Sequence, residues 1–403
     1  MAGRRTGKPA RSLPIEVDAS GHPPLGMPAA DFLRDYWQKR PLLVRNAFPG
    51  FETPLAPEDL AGLACEDYAL SRIVMHDRAT DAWELRTGPF PEELFPTLPR
   101  QDWTLLVQDV DKWDPDVAAL LPAFAFLPRW RIDDVMVSFA APGGSVGAHV
   151  DQYDVFLLQA QGHRRWWIDS RPNPPLAFRP DVELKLLQRF DPDHEWLLGP
   201  GDMLYLPPGV PHHGVGEDAC LTFSVGMRAP AAAELLGDFV DTLASEADEG
   251  LRYRDPDLRV PADPNEIDAA AMQRVVEALN MLRMNDPDRL GDWFGRFITT
   301  YRSAGDVAPG PLAPRIELEW QLDHGARLQR HPMSRMAWRR AKRGARLFAS
   351  GEAHALPLAD ARRIAAADAL DGRGYAALSQ QGRDVVFALY GSGHYQLAPG
   401  DGP

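Results

Sequence analysis

Three side chains of metal-ligating type occur at a spacing that could bring them together. His149 and Asp151 stand two residues apart in Gly143-Gly-Ser-Val-Gly-Ala-His-Val-Asp151, and His212 lies far downstream in Pro200-Gly-Asp-Met-Leu-Tyr-Leu-Pro-Pro-Gly-Val-Pro-His-His-Gly214. Side chains alternate faces along a strand, so on one strand His149 and Asp151 point the same way and Val150 the other. Glycines ahead of them allow a turn and a close backbone approach. The downstream stretch reads as a turn at Gly201-Asp202, a strand over Met203–Leu206 and a tight turn at Pro208-Gly209, after which a histidine can come back towards the first pair. Two imidazoles and a carboxylate on one side of a metal form the facial set that suits non-haem iron(II), with the opposite face left open. His-x-Asp alone is a weak signal that reads more readily as a buried hydrogen-bonded pair; joined to the downstream Gly-Asp…Pro-Pro-Gly…Pro-His element in a β-rich stretch, it favours the metal. His213 competes with His212, but as its neighbour in an extended segment it is expected to face the other way.

An oxidation at such a metal needs a cosubstrate. 2-Oxoglutarate chelates through its keto-acid end and leaves a second carboxylate that calls for a buried cation. Arg164 and Arg165 lie on the next expected strand, Gly162-His-Arg-Arg-Trp-Trp-Ile168. Alternation turns one of the two inward, where a guanidinium gives a two-pronged match to a carboxylate.

These residues must be positioned by a β-rich region. From about residue 100 to 228, short apolar runs alternate with Gly/Pro punctuation: Trp103–Val110, Asp134–Ala140, Val150–Gln159, Arg165–Ile168, Met203–Leu206 and Cys220–Gly226. That texture predicts a sandwich or barrel. Upstream, Asp31–Gln38 has a helical pattern and Pro41–Arg45 reads as a strand. Downstream, helices are expected around Leu235–Leu243, after Asp263-Pro264 with Pro264 at the helix start, and over Asp288–Thr300. Ala308–Pro314 reads as a linker. The last 90 or so residues read as helices ending in a strand pair, Val385–Leu389 and His394–Leu397, a winged-helix layout. Domain bounds follow: a flexible tail over 1–25, a catalytic barrel over 26–228, a helical region over 229–305 and a winged-helix-like domain over 312–403.

With 403 residues, 45% of them hydrophobic and 25% charged, the chain has ordinary globular composition. No apolar run is long enough to span a membrane, and the basic start lacks the apolar stretch of a secretory signal. Two cysteines, Cys65 and Cys220, do not make a disulfide framework, which fits a reducing cytoplasm. A net charge of −14 argues against broad nucleic-acid binding and favours a basic partner. The charge is uneven: from Pro311 onward, 13 lysines and arginines face 9 aspartates and glutamates. Within that part Arg335, Arg339, Arg340, Lys342, Arg343 and Arg346 surround Trp338, a cluster that reads as a solvated helix face or as a contact for ribosomal RNA.

Several segments together resemble the JmjC-type ribosomal oxygenases: Tyr36-Trp-Gln-Lys-Arg-Pro-Leu-Leu-Val-Arg45, Leu105-Leu-Val-Gln-Asp109, His149-Val-Asp-Gln-Tyr-Asp-Val-Phe156, Gly162-His-Arg-Arg-Trp166, Gly201–Gly209 and Ser224-Val-Gly-Met-Arg228. The likeness covers roughly residues 20–300, and is greatest to the bacterial branch that hydroxylates the β-carbon of an arginine in large-subunit ribosomal protein sixteen. It implies a double-stranded β-helix (cupin or jelly-roll) barrel, a helical dimerisation region giving a homodimer, and a C-terminal winged helix. It also implies Fe(II) on His149, Asp151 and His212, with 2-oxoglutarate and O2 as cosubstrates and Arg164, the first of the pair, as the 2-oxoglutarate anchor. The family's small polar residue two places after Ser138 is Ala140 here, so Thr222 and Ser224 are the expected substitutes. Asp134, Met136 and Tyr153 are the expected substrate-arginine contacts, by charge pairing and ring stacking. The rival readings are a cupin metalloenzyme that does not use 2-oxoglutarate and a nucleic-acid-binding regulator working through the terminal domain. Nothing resembles a chromatin-reading module, which disfavours histone demethylation.

Overall fold

The computed structural model describes residues 13–282, 284–300, 307–310 and 313–400. Most of the expected tail, residues 1–12, and part of the expected linker, residues 311–312, lie outside them. The chain forms two compact units, Met1–Ala229 and Pro230–Pro403.

In the first unit the strands are β1 (Glu16–Asp18), β2 (Leu42–Arg45), β3 (Ser71–Asp77), β4 (Ala82–Thr87), β5 (Trp103–Val107) and β6 (Ile132–Ala140). They continue as β7 (Val155–Gln161), β8 (Arg164–Ile168), β9 (His194–Leu198), β10 (Met203–Leu206), β11 (His212–Gly216) and β12 (Cys220–Met227). A nine-stranded sheet runs β1-β2-β10-β7-β12-β6-β5-β3-β4, and a three-stranded sheet, β11-β8-β9, covers part of it. Leu157, Leu204 and Leu206 from the large sheet meet Trp166, Ile168 and Leu198 from the small one in a cluster between the layers. The alternate residues Phe156, Leu158, Met203, Tyr205 and Phe223 point the other way, into the main core with Phe32, Tyr36 and Phe124. This is the expected barrel of the double-stranded β-helix kind, and residues 16–87 extend its sheet beyond the stretch read as β-rich from sequence.

Local chemistry explains the boundaries. Asp109 adopts a left-handed backbone, φ 59°, so the run expected over Trp103–Val110 leaves the sheet after Val107 and turns into a short helix over Val110–Trp113. The helix expected over Asp31–Gln38 stops at Asp35, and Gln38 has φ 56°. Gly201, at φ +87°, has the carbonyl oxygen of Phe48 only 2.4 Å from where a Cβ would sit, so no other residue fits that turn without rearrangement.

A polar node ties the layers together. Fully buried Asp154 accepts hydrogen bonds from the Tyr205 hydroxyl (2.7 Å), Gln38 Nε2 (2.8 Å) and Arg131 Nη2 (3.2 Å). The Tyr205 hydroxyl in turn accepts from the Gln38 backbone N–H (2.8 Å). Burial and the facing carboxylate hold the Tyr205 phenol well above its ordinary pKa.

The second unit begins with helices Ala232–Ser245, Ala269–Asn280 and Pro287–Thr299. Pro264 does not open the second of these; Asp268 caps it by accepting from the Ala271 N–H. Beyond helix Arg315–Asp323, β13 (Arg327–Arg330) pairs with β17 (Ala369–Asp371) and β18 (Tyr395–Ala398), and β14 (Met336–Arg340), β15 (Ala345–Ala349) and β16 (Glu352–Leu356) form a second sheet. Val385–Leu389, expected as a strand, lies inside helix Gln380–Gly391, whose buried face carries Val386, Leu389 and Tyr390. A short apolar run fits either period, and here the helical spacing prevails. The basic cluster sits on the β14–β15 hairpin, not on a helix.

Breaking the Asp154 node strands Arg131 and Tyr205 in the core. Asp154→Ala is expected to lower stability by about 3–5 kcal/mol, read as the denaturant midpoint of the full chain; a loss within experimental error would show that the node is not under that constraint.

Candidate metal centre

His149 and Asp151 do not lie on a regular strand, which corrects the expectation of one over Val150–Gln159: β7 begins only at Val155. They sit on an extended link pinned at two points. His149 and His212 exchange backbone hydrogen bonds, N–H to C=O at 3.0 Å each way, as an isolated bridge. The Asp151 carbonyl accepts from the Gly209 N–H in the Pro208-Gly209 turn (2.8 Å). The two distant motifs are thus stitched to each other through backbone, and the i, i+2 alternation still aims both side chains at His212. One ligand atom each from His149, Asp151 and His212 lies within 4.8 Å of the other two.

The tautomers follow from the partners. His149 Nδ1 faces the Gly147 carbonyl (2.9 Å) and His212 Nδ1 the Val210 carbonyl (2.9 Å). A carbonyl only accepts, so each Nδ1 carries the hydrogen and each Nε2 keeps a lone pair. His212 Nε2 stands 3.6 Å from Asp151 Oδ2. Burial, reinforced by the neighbouring His149, pulls the His212 pKa down to about 4, which keeps the ring in its neutral, ligating form. Two imidazole lone pairs and a carboxylate converging without a bridging proton donor fit a divalent cation, and this donor set favours iron(II). His213 points away, with Nε2 against Ser145 Oγ (3.0 Å) and its ring beside Trp167.

The arginine pair divides as alternation requires. Arg165 is on the outer face, bound to Glu195 (2.7 Å) and Glu217 (2.5 Å). Arg164 is 3% exposed, and none of the ion pairs among the described residues includes it. Its Nη1 donates to Ser138 Oγ (3.2 Å) and Thr222 Oγ1 (3.3 Å), Nη2 reaches the Gly214 carbonyl (3.5 Å), and Nε has no partner. Burial pulls its pKa down, yet an arginine stays protonated. The guanidinium lies over the Trp166 ring at 5.0 Å, and that ring is 6.0 Å from His212. Gly214, opposite Trp166 in the ladder, keeps the space open: a Cβ there would lie 2.7 Å from the indole and 2.9 Å from Arg164 Nε. Ser138, Trp166 and Gly214 were not singled out from sequence as site residues, although each falls at an inward position of its strand.

The remaining predicted residues line the same interior. Thr222 stands across from Ser138, and Ser224 across from Met136; Ser224 is buried but is not a partner of Arg164. Asp134, Met136 and Ser138 share one face of β6, opposite Val135 and Val137 of the main core. Asp134 is buried, its Oδ2 accepting from the Asp109 N–H (3.1 Å). Tyr153 leaves 40% of its surface exposed, but burial of its hydroxyl end and the nearby Asp151 and Asp134 carboxylates push its pKa up. Along β6 this face therefore runs from a cationic end, where Ser138 meets Arg164, to an acidic end at Asp134, near Tyr153.

The terminal hairpin is less basic than its sequence. Arg339 pairs with Asp288 (2.9 Å) and Asp292 (2.8 Å), Lys342 with Asp288 (3.4 Å) and Arg346 with Asp292 (3.3 Å), all against helix Pro287–Thr299.

Fold and site together define a double-stranded β-helix protein with a two-histidine, one-carboxylate centre. The JmjC domain matches residues 119–235 and the ROXA-like winged helix residues 282–396. Among curated proteins, the ribosomal protein uL16 3-hydroxylase of Escherichia coli K12 is 40% identical over 279 residues, 69% of this chain and 73% of that protein. A probable ribosomal oxygenase of Haemophilus influenzae is 40% identical over 233 residues, 57% of this chain and 54% of that one. The X-ray structure of E. coli YcfD superposes with a TM-score of 0.84 at 35% identity, covering 93% of this chain and 99% of that one. YcfD, a ribosomal oxygenase, has also been solved with cobalt and 2-oxoglutarate (TM-score 0.81, 35% identity, 93% and 99% covered). The chain belongs to the JmjC ribosomal oxygenases.

Chelator-treated protein is expected to bind one Mn(II) per chain, and Asp151→Ala to weaken that binding by at least about tenfold, since a lost carboxylate leaves two neutral ligands. Equal Mn(II) affinity in the variant, measured by titration calorimetry, would contradict the geometry.

Proposed function

We propose that this chain is an Fe(II)- and 2-oxoglutarate-dependent dioxygenase that hydroxylates the β-carbon of an arginine in ribosomal protein uL16, with His149, Asp151 and His212 as the metal ligands. One observation carries the reading: across the Trp166 ring from His212 lies a buried guanidinium that has no carboxylate partner among the described residues. A buried cation needs an anion, and a cosubstrate with one carboxylate for the metal and another at its far end supplies it. A cupin enzyme without 2-oxoglutarate would have no use for Arg164. The substrate follows from the E. coli uL16 3-hydroxylase, and the acidic end at Asp134 suits a basic protein.

Bound there, iron(II) would activate dioxygen as 2-oxoglutarate is converted to succinate and carbon dioxide, delivering one oxygen atom to a carbon–hydrogen bond. The protein's part is placement. Arg164 holds the far carboxylate, Trp166 and Gly214 shape the slot, and the carbonyls of Gly147 and Val210 orient the two imidazoles. Asp134 and Tyr153, with Met136 beside them, receive the substrate guanidinium by charge pairing and stacking, so that the chain's β-carbon faces the metal.

Two further assignments belong to the same proposal. Helices Ala232–Ser245 and Ala269–Asn280 expose Leu236, Val240, Met272, Val276 and Leu279, an apolar surface suited to a homodimer. Contact with ribosomal RNA, if made through the hairpin, falls to the exposed Arg340 and Arg343, since Arg339, Lys342 and Arg346 pair with Asp288 and Asp292. No described helix is long and apolar enough to cross a membrane, and a ribosomal substrate supports a cytoplasmic enzyme.

With iron(II), 2-oxoglutarate and air, purified uL16 should gain about 16 Da, one oxygen atom, on a single arginine, while Asp151→Ala leaves it unchanged. Mass spectrometry showing no gain with the native enzyme, despite succinate release, would rule out uL16 as the substrate.

A further inference from the structure

Arg164 is held by a row of polar side chains that crosses three strands. Ser138 on β6, Thr222 on β12 and Gln159 on β7 are register partners, so all three project from the same face of the large sheet towards Arg164. The register slips between Leu221 and Thr222, a β-bulge that skips Ala160 and puts Gln159 beside Thr222. All three are buried, and Gln159 is fully so.

The direction of every hydrogen bond in the row is forced. Gln159 Nε2 faces two carbonyls, Gln161 O at 2.9 Å and Gly162 O at 3.4 Å, so the amide nitrogen lies on that side and Oε1 on the other. Oε1 has no hydrogen, so in their 3.1 Å contact the Thr222 hydroxyl donates. Its lone pairs are then left for Arg164 Nη1. Ser138 behaves alike: its hydroxyl donates to the Thr222 carbonyl at 3.5 Å and accepts from Nη1. Both Nη1 hydrogens are thereby taken. Nε and one hydrogen of Nη2 keep no partner among the described residues, and Gly214, close to Nε, presents no side chain there.

We propose that Gln159 is a positioning residue for 2-oxoglutarate: by holding the Thr222 hydroxyl as a pure acceptor it locks Arg164 through Nη1 and leaves the guanidinium's unpartnered N–H groups for the cosubstrate's far carboxylate. This rests on the reading of Arg164 as the 2-oxoglutarate anchor. It gives Thr222 a different role from the direct cosubstrate contact expected from the sequence. Its hydrogen is committed to Gln159, and a hydroxyl without a free hydrogen does not attract a carboxylate.

The test uses the full chain loaded with Mn(II) under anaerobic conditions, with 2-oxoglutarate binding followed by calorimetry. Gln159→Met keeps length and apolar bulk but removes the acceptor. It is expected to raise the 2-oxoglutarate Kd about tenfold, equivalent to about 1.4 kcal/mol, with Mn(II) affinity unchanged. In turnover with Fe(II) the same change should appear in KM for 2-oxoglutarate and not in kcat. Thr222→Val should weaken binding similarly, Thr222→Ser should restore it, and the double variant Gln159→Met/Thr222→Val should be no worse than the weaker single one, because both break one chain. Native affinity in Gln159→Met, or penalties that multiply in the double variant, would overturn the proposal. If Gln159→Met does not fold, native affinity in Thr222→Val overturns it equally. Arg164→Met separates the two levels: native 2-oxoglutarate affinity there would defeat the anchor reading itself, whereas a loss there without one in Gln159→Met defeats only the relay.

Discussion

A protonated guanidinium buried inside a β-barrel without a carboxylate to pair with among the described residues is a cost that the fold must offset. Arg164 is buried among aromatic and hydroxyl groups; its described partners are neutral acceptors and the face of Trp166. Neutral acceptors and a ring face compensate only part of the lost hydration. The remainder favours the entry of an anion, which is why the proposed cosubstrate is a dicarboxylate.

The metal triad and the cation are positioned by different devices. Cross-strand register does it for Arg164: Gly216 lies opposite it, Gly214 opposite Trp166 and His212 opposite Ile168, all on the inward face of the small sheet. The large sheet supplies Ser138 and Thr222 from adjoining strands. The triad instead depends on a single backbone bridge between His149 and His212 and on the turn that holds the Asp151 carbonyl. A short extended link is easier to aim than a long strand, and both imidazoles are then fixed by carbonyls two residues before them. The result is a site with a buried cation at one side, the three converging metal-ligating groups between, and Asp134 and the half-open Tyr153 at the other.

Much of this was legible from residue order alone. The triad, the barrel class and the inward choice of Arg164 rested on side-chain alternation and on a resemblance to known oxygenases, and each reflects a local rule that burial does not reverse. The misplaced elements share a physical cause. Val385–Leu389 is an apolar run whose length suits both periods, and only its packing with Leu322 and Tyr395 in the terminal core makes it helical. The arginines around Trp338 look like a free basic face because the counterions of Arg339 and Arg346, Asp288 and Asp292, belong to a helix some fifty residues earlier. Gln159 was invisible for the same reason: its partners are brought in by register and by a bulge, neither of which is written in the spacing of residues.

If Arg164 recognises the far carboxylate of the cosubstrate, a change in the ligand tests this more directly than any loss of activity. The Mn(II)-loaded native chain and Arg164→Met can each be titrated with 2-oxoglutarate and with 2-oxopentanoate, which chelates identically but ends in a methyl group. A charged hydrogen-bonded contact contributes about 1.5–3 kcal/mol, so the native chain should prefer 2-oxoglutarate by more than tenfold and Arg164→Met should show almost no preference. A variant that still discriminates like the native protein would contradict the account.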